Sequence, residues 1–308
     1  MDKLKNLLVV LPEVQKALQG GGPVVALETA TLCHGMPYPQ NVEAALQAEE
    51  IVRQSGATPA LIALVGGRLR VGLAPQDTEY LGKKGPAVQK ASRRDLPVLV
   101  ARGQDGAATV ATALILSALV GIRVFSTGFL GGVHRGSEAN LDISADLEEL
   151  ARTSAIVVCA GLGPIFSPAL TLEYLETRGV PVLGYKTEEL PGFYSRKSGC
   201  PANYRADSPA EIAESFAAKE ALGLGGGLLA ANPVDESCAL DEALIARATE
   251  EALQDAARLK VRGGALTPFL LGRLHEITGG KSLATGMQLL YGNARLAAAI
   301  AAELGGRL

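Results

Sequence analysis

Metal-binding pairs are the first thing scarce in this 308-residue sequence. It has three histidines and four cysteines, with no Cys-x-x-Cys and no His-Cys cluster at zinc spacing, which removes zinc chemistry. Cys33, Cys159, Cys200 and Cys238 are scattered, three of them in apolar or turn-like surroundings, as suits free thiols in a reducing cytoplasm. Charged residues make up only 20% and nearly cancel, 29 basic against 32 acidic for a net charge of −3. The concentrated basic excess that nucleic-acid binding needs is missing, so the expected partner is small. No apolar run approaches the ~20 residues of a membrane helix. The mixed-charge opening M-D-K-L-K-N is not that of a signal peptide. Repeats, low-complexity tracts and clear linkers are absent too. These absences predict a cytoplasmic protein in which residues 1–308 form a single domain.

What is present is a large apolar fraction, 48%, enough for a sizeable core. The most informative stretch is 24–41, V-V-A-L-E-T-A-T-L-C-H-G-M-P-Y-P-Q-N. It opens as a buried strand and places a carboxylate, Glu28, where that strand should end. The Gly-Met-Pro-Tyr-Pro segment that follows is neither regular helix nor inner strand. Asn41 is placed to cap the next helix. An acid delivered by a buried strand into a stiff loop suits catalysis; a buried structural Glu beside a rigid turn is the plain alternative.

Along the chain, helices are predicted at 10–20, 42–55, 106–120, 145–153, 168–178, 209–222, 241–259, 267–277 and 282–305. Strands are predicted at 23–30, 97–101, 122–127, 155–160, 180–185 and 227–231. Gly66-Gly67 between 60–65 and 68–73 reads as a hairpin turn. The alternation predicts an α/β fold, a three-layer α/β/α sandwich with a mixed, mostly parallel central sheet. The Ala-rich helix across 107–120 is apolar almost all round, so it belongs in a thick core or between subunits. The Gly-rich stretch 223–227 has its helix before and its strand after, the reverse of a dinucleotide fingerprint, so it reads as a turn.

Four further segments concentrate polar groups beside apolar runs. K-A-S-R-R-D at 90–95 offers Lys90 as a point charge for a phosphate, or is a solvated charge cluster. Residues 103–110 bring small residues, a threonine hydroxyl and free amides to a helix start, an anion site unless Asp105 merely caps it. Residues 127–136 join glycines that admit a ligand to His134-Arg135. D-I-S-A-D at 142–146 sets Asp146 in a helix first turn and Asp142 just outside it. One carboxylate with water ligands suits a hard divalent cation, though acids near a helix start also stabilise the helix.

Taken together, V-A-L-E-T-A-T-L-C-H-G-M-P-Y-P-Q-N, K-A-S-R-R-D-L-P, G-A-A-T-V-A-T, G-G-V-H-R-G, D-I-S-A-D-L and T-P-F-L-L-G-R resemble the pseudouridine-5′-phosphate glycosidases. That family includes indigoidine-cluster proteins and C-glycoside synthases, and the likeness runs over nearly the whole chain, through N-P-V at 232–234, I-T-G-G at 277–280 and N-A-R-L-A-A at 293–298. The resemblance implies an α/β/α domain assembling as a homotrimer. It implies reversible cleavage of the carbon–carbon bond between ribose 5-phosphate and uracil, with a divalent metal, usually Mn²⁺. Glu28 matches the family's proton donor and Asp142 its metal ligand. Lys90, Val110, Ser144, Ala145 and Asp146 match substrate-binding positions, and Thr127, His134 and Asn293 resemble further substrate contacts.

One departure stands out. The family's catalytic lysine, which takes the sugar as a Schiff base, lies in a segment usually reading A-G-A-K-S-I-L-D. Here that segment is A-G-L-G-P-I-F-S, with Gly163 in the lysine's place. Three outcomes are expected from this. Another lysine, Lys186 or Lys90, reaches the anomeric carbon; or an oxocarbenium route operates; or the chain is a non-catalytic sugar-phosphate-binding homologue or subunit. Losing the long side chain is also expected to open volume for a bulkier aglycone.

Overall fold

In a computed structural model, which describes residues 6–137, 141–261 and 263–305, the chain opens with β1 (Leu8–Val10), α1 (Pro12–Gln19), β2 (Val24–Glu28), α2 (Ala30–His34) and α3 (Gln40–Gln54). Next come β3 (Thr58–Val65), β4 (Arg68–Val71), α4 (Pro75–Lys84), β5 (Gln89–Ala91), α5 (Leu96–Arg102), β6 (Gly106–Ala108) and α6 (Val110–Val120). The middle holds β7 (Val124–Ser126), α7 (Ala145–Leu150), β8 (Ile156–Cys159), α8 (Pro168–Thr177), β9 (Val182–Tyr185) and β10 (Tyr204–Ala206). The chain closes with α9 (Pro209–Ala221), β11 (Leu228–Ala231), α10 (Glu242–Arg258), α11 (Leu266–Ile277) and α12 (Lys281–Leu304).

The sheet runs β1-β4-β3-β2-β7-β8-β11-β9-β10, with β6 joining β3 and β5 joining β6. Among the strand pairs of the described residues, β3 with β4 and β3 with β6 are antiparallel and the others parallel. Strand residues alternate between two cores. Val24 and Ala26 pack into a core with α1, α6, α7 and α10, whereas Val25 and Leu27 pack into another with α3, α9 and α12. Apolar residues on both faces of each inner strand therefore produce the three-layer sandwich predicted from the alternation of elements. Gly66 and Gly67 turn the β3–β4 hairpin with φ of 56° and 72°, the left-handed conformation that glycine accepts without strain. Helix α6 is buried by the chain's own sheet and helices, Ala113, Leu114 and Leu116 being fully enclosed.

The chain leaves β2 for β3 and β4 on one side, and later returns to its other side through β7. The order thus reverses at β2–β7, and open α/β sheets bind ligands beyond the strand ends at such a point. Strand β2 stops at Glu28 for a definite reason. Thr29 Oγ1 donates to the Ile62 carbonyl of β3 at 2.7 Å and accepts the Ala108 amide of β6 at 2.8 Å. The side chain splices the end of β2 to the end of β6 along the same flank of β3.

Several expectations need correction. The apolar run at 97–101 is helix α5, not a strand: Pro97 suits a helix first turn, where its missing N–H costs nothing, and Gly103 closes the helix at φ 63°. The predicted helix from 106 begins at Val110, since 106–108 is β6. Asn41 is not the cap. It lies inside α3 and is buried, its amide donating to the carbonyls of Leu32 at 2.7 Å and Gly82 at 3.0 Å. Elements β1, α2, α4, β5 and β10 were not anticipated. The turn at 223–227 is explained by buried Lys219, whose Nζ donates to the carbonyls of Leu224, Gly225 and Gly226 at 2.5–2.6 Å.

Candidate active site

Glu28 reaches the crevice from the last position of β2 and is buried. Its carboxylate accepts from Thr31 twice, at Oε2 from the amide at 2.8 Å and at Oε1 from the hydroxyl. Helix α2 makes this possible, because its first turn folds the Thr31 amide and hydroxyl back toward the strand end. Thr127, just past β7, brings its hydroxyl to 3.4 Å from Glu28 Oε1. Burial pushes the Glu28 carboxyl above its usual 4.5, and the charge of Asp146 adds to this, while the Thr31 bonds oppose it. An upward shift lets the carboxyl hold its proton to higher pH than usual, the direction that general-acid work needs.

Lys90 comes from β5. Its neighbour is fixed: the Ala91 carbonyl accepts from the hydroxyls of Thr109 at 3.1 Å and Thr112 at 2.7 Å. The half-buried amine lies within the field of both Glu28 and Asp146. Burial lowers its pKa, and those two carboxylates act the other way. Arg93 of the same cluster forms an ion pair with buried Glu149 of α7, and Arg94 is exposed. Only the lysine turns inward.

Asp146 closes the base of the site. Oδ1 accepts the Ala111 amide of α6 at 2.9 Å, and Oδ2 accepts the Gly131 amide at 3.2 Å. Ser144 is the N-cap of α7, accepting from the Asp146 amide at 3.2 Å, and Ala145 is the first residue of that helix. A Cβ on Gly131 would stand 2.5 Å from Asp146 Oδ2, so glycine is required for the loop to approach the carboxylate. Val110, first residue of α6, is buried one position before the amide that Asp146 takes. Asp105 does not cap this helix, for it accepts from the Gly66 amide and binds Tyr80 and Lys84.

His134 and Asp142 form a second group beyond the glycine loop. His134 packs edge-on against Phe166 at 4.6 Å, its Nε2 is 4.0 Å from Asp142 Oδ1, and burial lowers its pKa. Asp142 is half-exposed. Among the described residues no three His, Cys, Asp or Glu side chains gather as a metal cluster. The donor chemistry at Asp142 fits a hard cation held by one carboxylate and completed by water or ligand oxygens. Asn293 is fully buried; its amide donates to the Thr127 carbonyl at 2.8 Å, and its oxygen accepts from Asn232 at 3.0 Å. It holds the loop that carries Thr127.

Lys186 is not brought to this site. It is exposed, past the end of β9, and lies over the Tyr185 ring. Four strand spacings separate β9 from β2, about 19 Å at ~4.8 Å each. Nor does Gly163 leave open volume. A Cβ there would come within 3.0 Å of the Phe129 ring and 3.3 Å of Phe166, so aromatic side chains fill the place.

Sequence reasoning missed the wall of the site. A cavity of about 500 Å³ opens beside Thr31 and is lined by His34, Met36, Phe129, Phe193, Tyr194 and Leu271 among others. Phe129 meets Phe193 edge-on at 5.1 Å, and Phe193 meets Tyr194 at 4.4 Å. A largely apolar, aromatic cavity of this size suits a small organic ring. Burial and the charge of Lys90 push His34 down to about 4, so it is neutral at physiological pH.

The arrangement has relatives. The family described as Indigoidine synthase A like protein matches residues 13–303. A pseudouridine-5′-phosphate glycosidase of Hahella chejuensis is 53% identical over 296 residues, 96% of this chain and 98% of that one. One from Escherichia coli K12 is 50% identical over 306 residues, covering 98% of each. Among solved structures, the prealnumycin C-glycosynthase AlnA in complex with ribulose 5-phosphate superposes with a TM-score of 0.89 at 37% identity, over 97% of both chains. An indigoidine synthase A-like protein of Thermotoga maritima gives 0.88 at 33% identity, also over 97% of both.

Proposed function

The chain belongs to the indigoidine synthase A-like family, and on that footing we propose that it breaks or forms the carbon–carbon bond between ribose 5-phosphate and uracil or a related aglycone. The observation that carries this reading is Glu28: a buried acid of raised pKa at the sheet's reversal point, within the field of the Lys90 amine and bonded to Thr31, which lines the aromatic cavity. A carbon leaving group has no heteroatom to protonate, so the proton must go to the aglycone carbon itself. That calls for an acid that holds its proton to higher pH than an ordinary carboxyl does, and burial shifts Glu28 in that direction.

Pseudouridine 5′-phosphate is the default substrate. On this reading Lys90 and His134 supply contacts to the ribosyl phosphate, and Asp146, held by the Ala111 and Gly131 amides, is a further substrate contact. Val110, Ser144 and Ala145 are taken as substrate-binding positions with them, and Thr127, whose carbonyl Asn293 holds, brings its hydroxyl to Glu28. A divalent cation, Mn²⁺, belongs with the reading as a proposal: Asp142 would hold it, and it would supply positive charge against the phosphate. A homotrimer located in the cytoplasm is proposed with it. Among the described residues no helix is long and apolar enough to cross a membrane.

The test is incubation with Mn²⁺ and pseudouridine 5′-phosphate, and separately with ribose 5-phosphate plus uracil, following both directions. Release of uracil or formation of the C-nucleoside is expected. A second reading, a non-catalytic sugar-phosphate-binding subunit, is favoured by Gly163, which carries no amine and lies under Phe129. Tight ribose 5-phosphate binding without turnover in either direction would select it.

A further inference from the structure

Four buried side-chain atoms among the described residues take no hydrogen bond from the protein: His34 Nε2, Arg70 Nε, Ser117 Oγ and Ser126 Oγ. Buried polar atoms are seldom left so, and ordered water is the usual partner where protein supplies none. Of the four, Ser126 shares a cavity with Glu28. It ends β7, is 1% exposed, and pairs in register with Leu27, the residue before the acid. Side chains alternate along β7. Val124 packs with α3 and α12 and Phe125 with the opposite core, so Ser126 returns to the Val124 side.

There it meets a cavity of about 20 Å³, room for a single water. The polar lining is Glu28, Thr31, Asn41 and Ser126, and the rest of the wall is apolar, Leu61 and Leu290 included. The Asn41 amide is fully used, donating to the Leu32 and Gly82 carbonyls and accepting from the Val42 amide. Thr31 and Met36 line the aromatic cavity as well, so the two spaces adjoin. We propose that the small cavity is a binding site for one water molecule, held by Ser126 Oγ and the Glu28 carboxyl, and that Ser126 acts through it as a positioning residue for the acid. That this acid is catalytic rests on the C-glycosidase reading above.

An acid that gives up a proton and regains it must be accommodated in both forms. The Thr31 amide can only donate to Glu28, so it serves the ionised form. A water is donor and acceptor at once, and so is a serine hydroxyl, so the pair serves either form. Ionised, Glu28 accepts from the water, which accepts from Ser126 Oγ. Protonated, Glu28 donates to the water, which turns to donate to Ser126 Oγ. The bond to the charged carboxylate is the stronger of the two, so losing the water favours the protonated acid. Alanine at 126 removes the far end of this chain, and a water with too few partners is not held. The titratable groups acting on Glu28 from neighbouring elements are Asp146 of α7, Lys90 of β5 and Cys33 of α2, and a change at Ser126 removes none of them.

The test pairs a crystal structure of the unaltered protein, sharp enough to show ordered water, with infrared titration of the Glu28 carboxyl in the parent and in Ser126→Ala. The band is assigned by its loss in Glu28→Gln. The expected result is a water within hydrogen-bond distance of both Ser126 Oγ and a Glu28 carboxyl oxygen in the parent. In the variant the carboxyl titration should move up by about one pH unit. A parent crystal with no water at that place overturns the proposal, and this arm does not depend on the variant folding. A variant that loses stability while its Glu28 titration stays put also overturns it, since Ser126 would then be merely structural. Neither readout needs substrate, so the water site and the C-glycosidase reading fail separately. Absence of both turnover and ribose 5-phosphate binding sinks that reading, and with it the catalytic role of the acid, without touching the water or the titration. Where the parent does turn over, the basic limb of the pH–kcat profile should move up in the variant with the carboxyl titration, and a limb that stays in place ends the positioning role of Ser126.

Discussion

Thr31 grips Glu28 with both its amide and its hydroxyl, one on each carboxylate oxygen. These bonds favour the ionised acid and so partly counter the upward push of burial. Thr31→Val keeps the amide bond and removes the hydroxyl. The Glu28 pKa should rise further, so the basic limb of the pH–kcat profile should move to higher pH. Stability should fall by about 1–3 kcal/mol, the usual cost of leaving a buried polar atom short of a partner. A profile unchanged from the parent's would remove Thr31 from the tuning of this acid.

Glu28→Gln should reduce turnover by at least about 100-fold, the lower end of what general acids contribute. Its effect on stability has the opposite sign. Because the folded pKa of Glu28 lies above 4.5, the stability linked to its proton is full below that pH and is lost as pH rises through the folded value. The amide carries no such charge. Thermal unfolding from pH 4 to 8 should show the parent losing stability relative to Glu28→Gln as pH rises, and a constant gap would contradict the assignment.

Gly163→Ala places a methyl group against the Phe129 and Phe166 rings. Overpacking of this kind costs about 1–3 kcal/mol. In a Phe129→Ala background the same change should cost markedly less, since the ring that obstructs it is gone. A denaturant double-mutant cycle measures the difference, and additive effects would place the strain elsewhere.

Asp142→Asn should weaken Mn²⁺ binding by at least about tenfold, followed directly by the loss of the free-ion electron paramagnetic resonance signal on titration. The measurement needs no turnover. Equal affinity in parent and variant would move the cation away from Asp142.

How far the sequence revealed this site can be judged residue by residue. Glu28 was legible because a β-branched run interrupted by a carboxylate marks a strand end, and Asp146 because Ser144 two residues earlier is an N-cap signal. Strands β5 and β6 were not: three residues each, they pair with partners set by tertiary contacts, and neither has room to show a period. The run in α5 is short and apolar, where periodicity cannot separate helix from strand, and Pro97 was the overlooked cue. Phe129, Phe193 and Leu271 share a wall although far apart in sequence, so no local pattern announces it. Space at Gly163 was misjudged for the same reason, since the ring that fills it comes from another loop.

The splice at Thr29 has a mechanical consequence. By joining β2 to β6, it places the acid-bearing strand and, through the β5–β6 pair, the amine-bearing strand in one hydrogen-bonded frame. Any shift of that frame carries donor and amine together and leaves their separation unchanged. The aromatic wall, built from loops and α11, lies outside the frame. The chain can therefore be re-tailored for a different ring by altering Phe129, Phe193 or Leu271 while the spacing of the acid and the amine stays as it is.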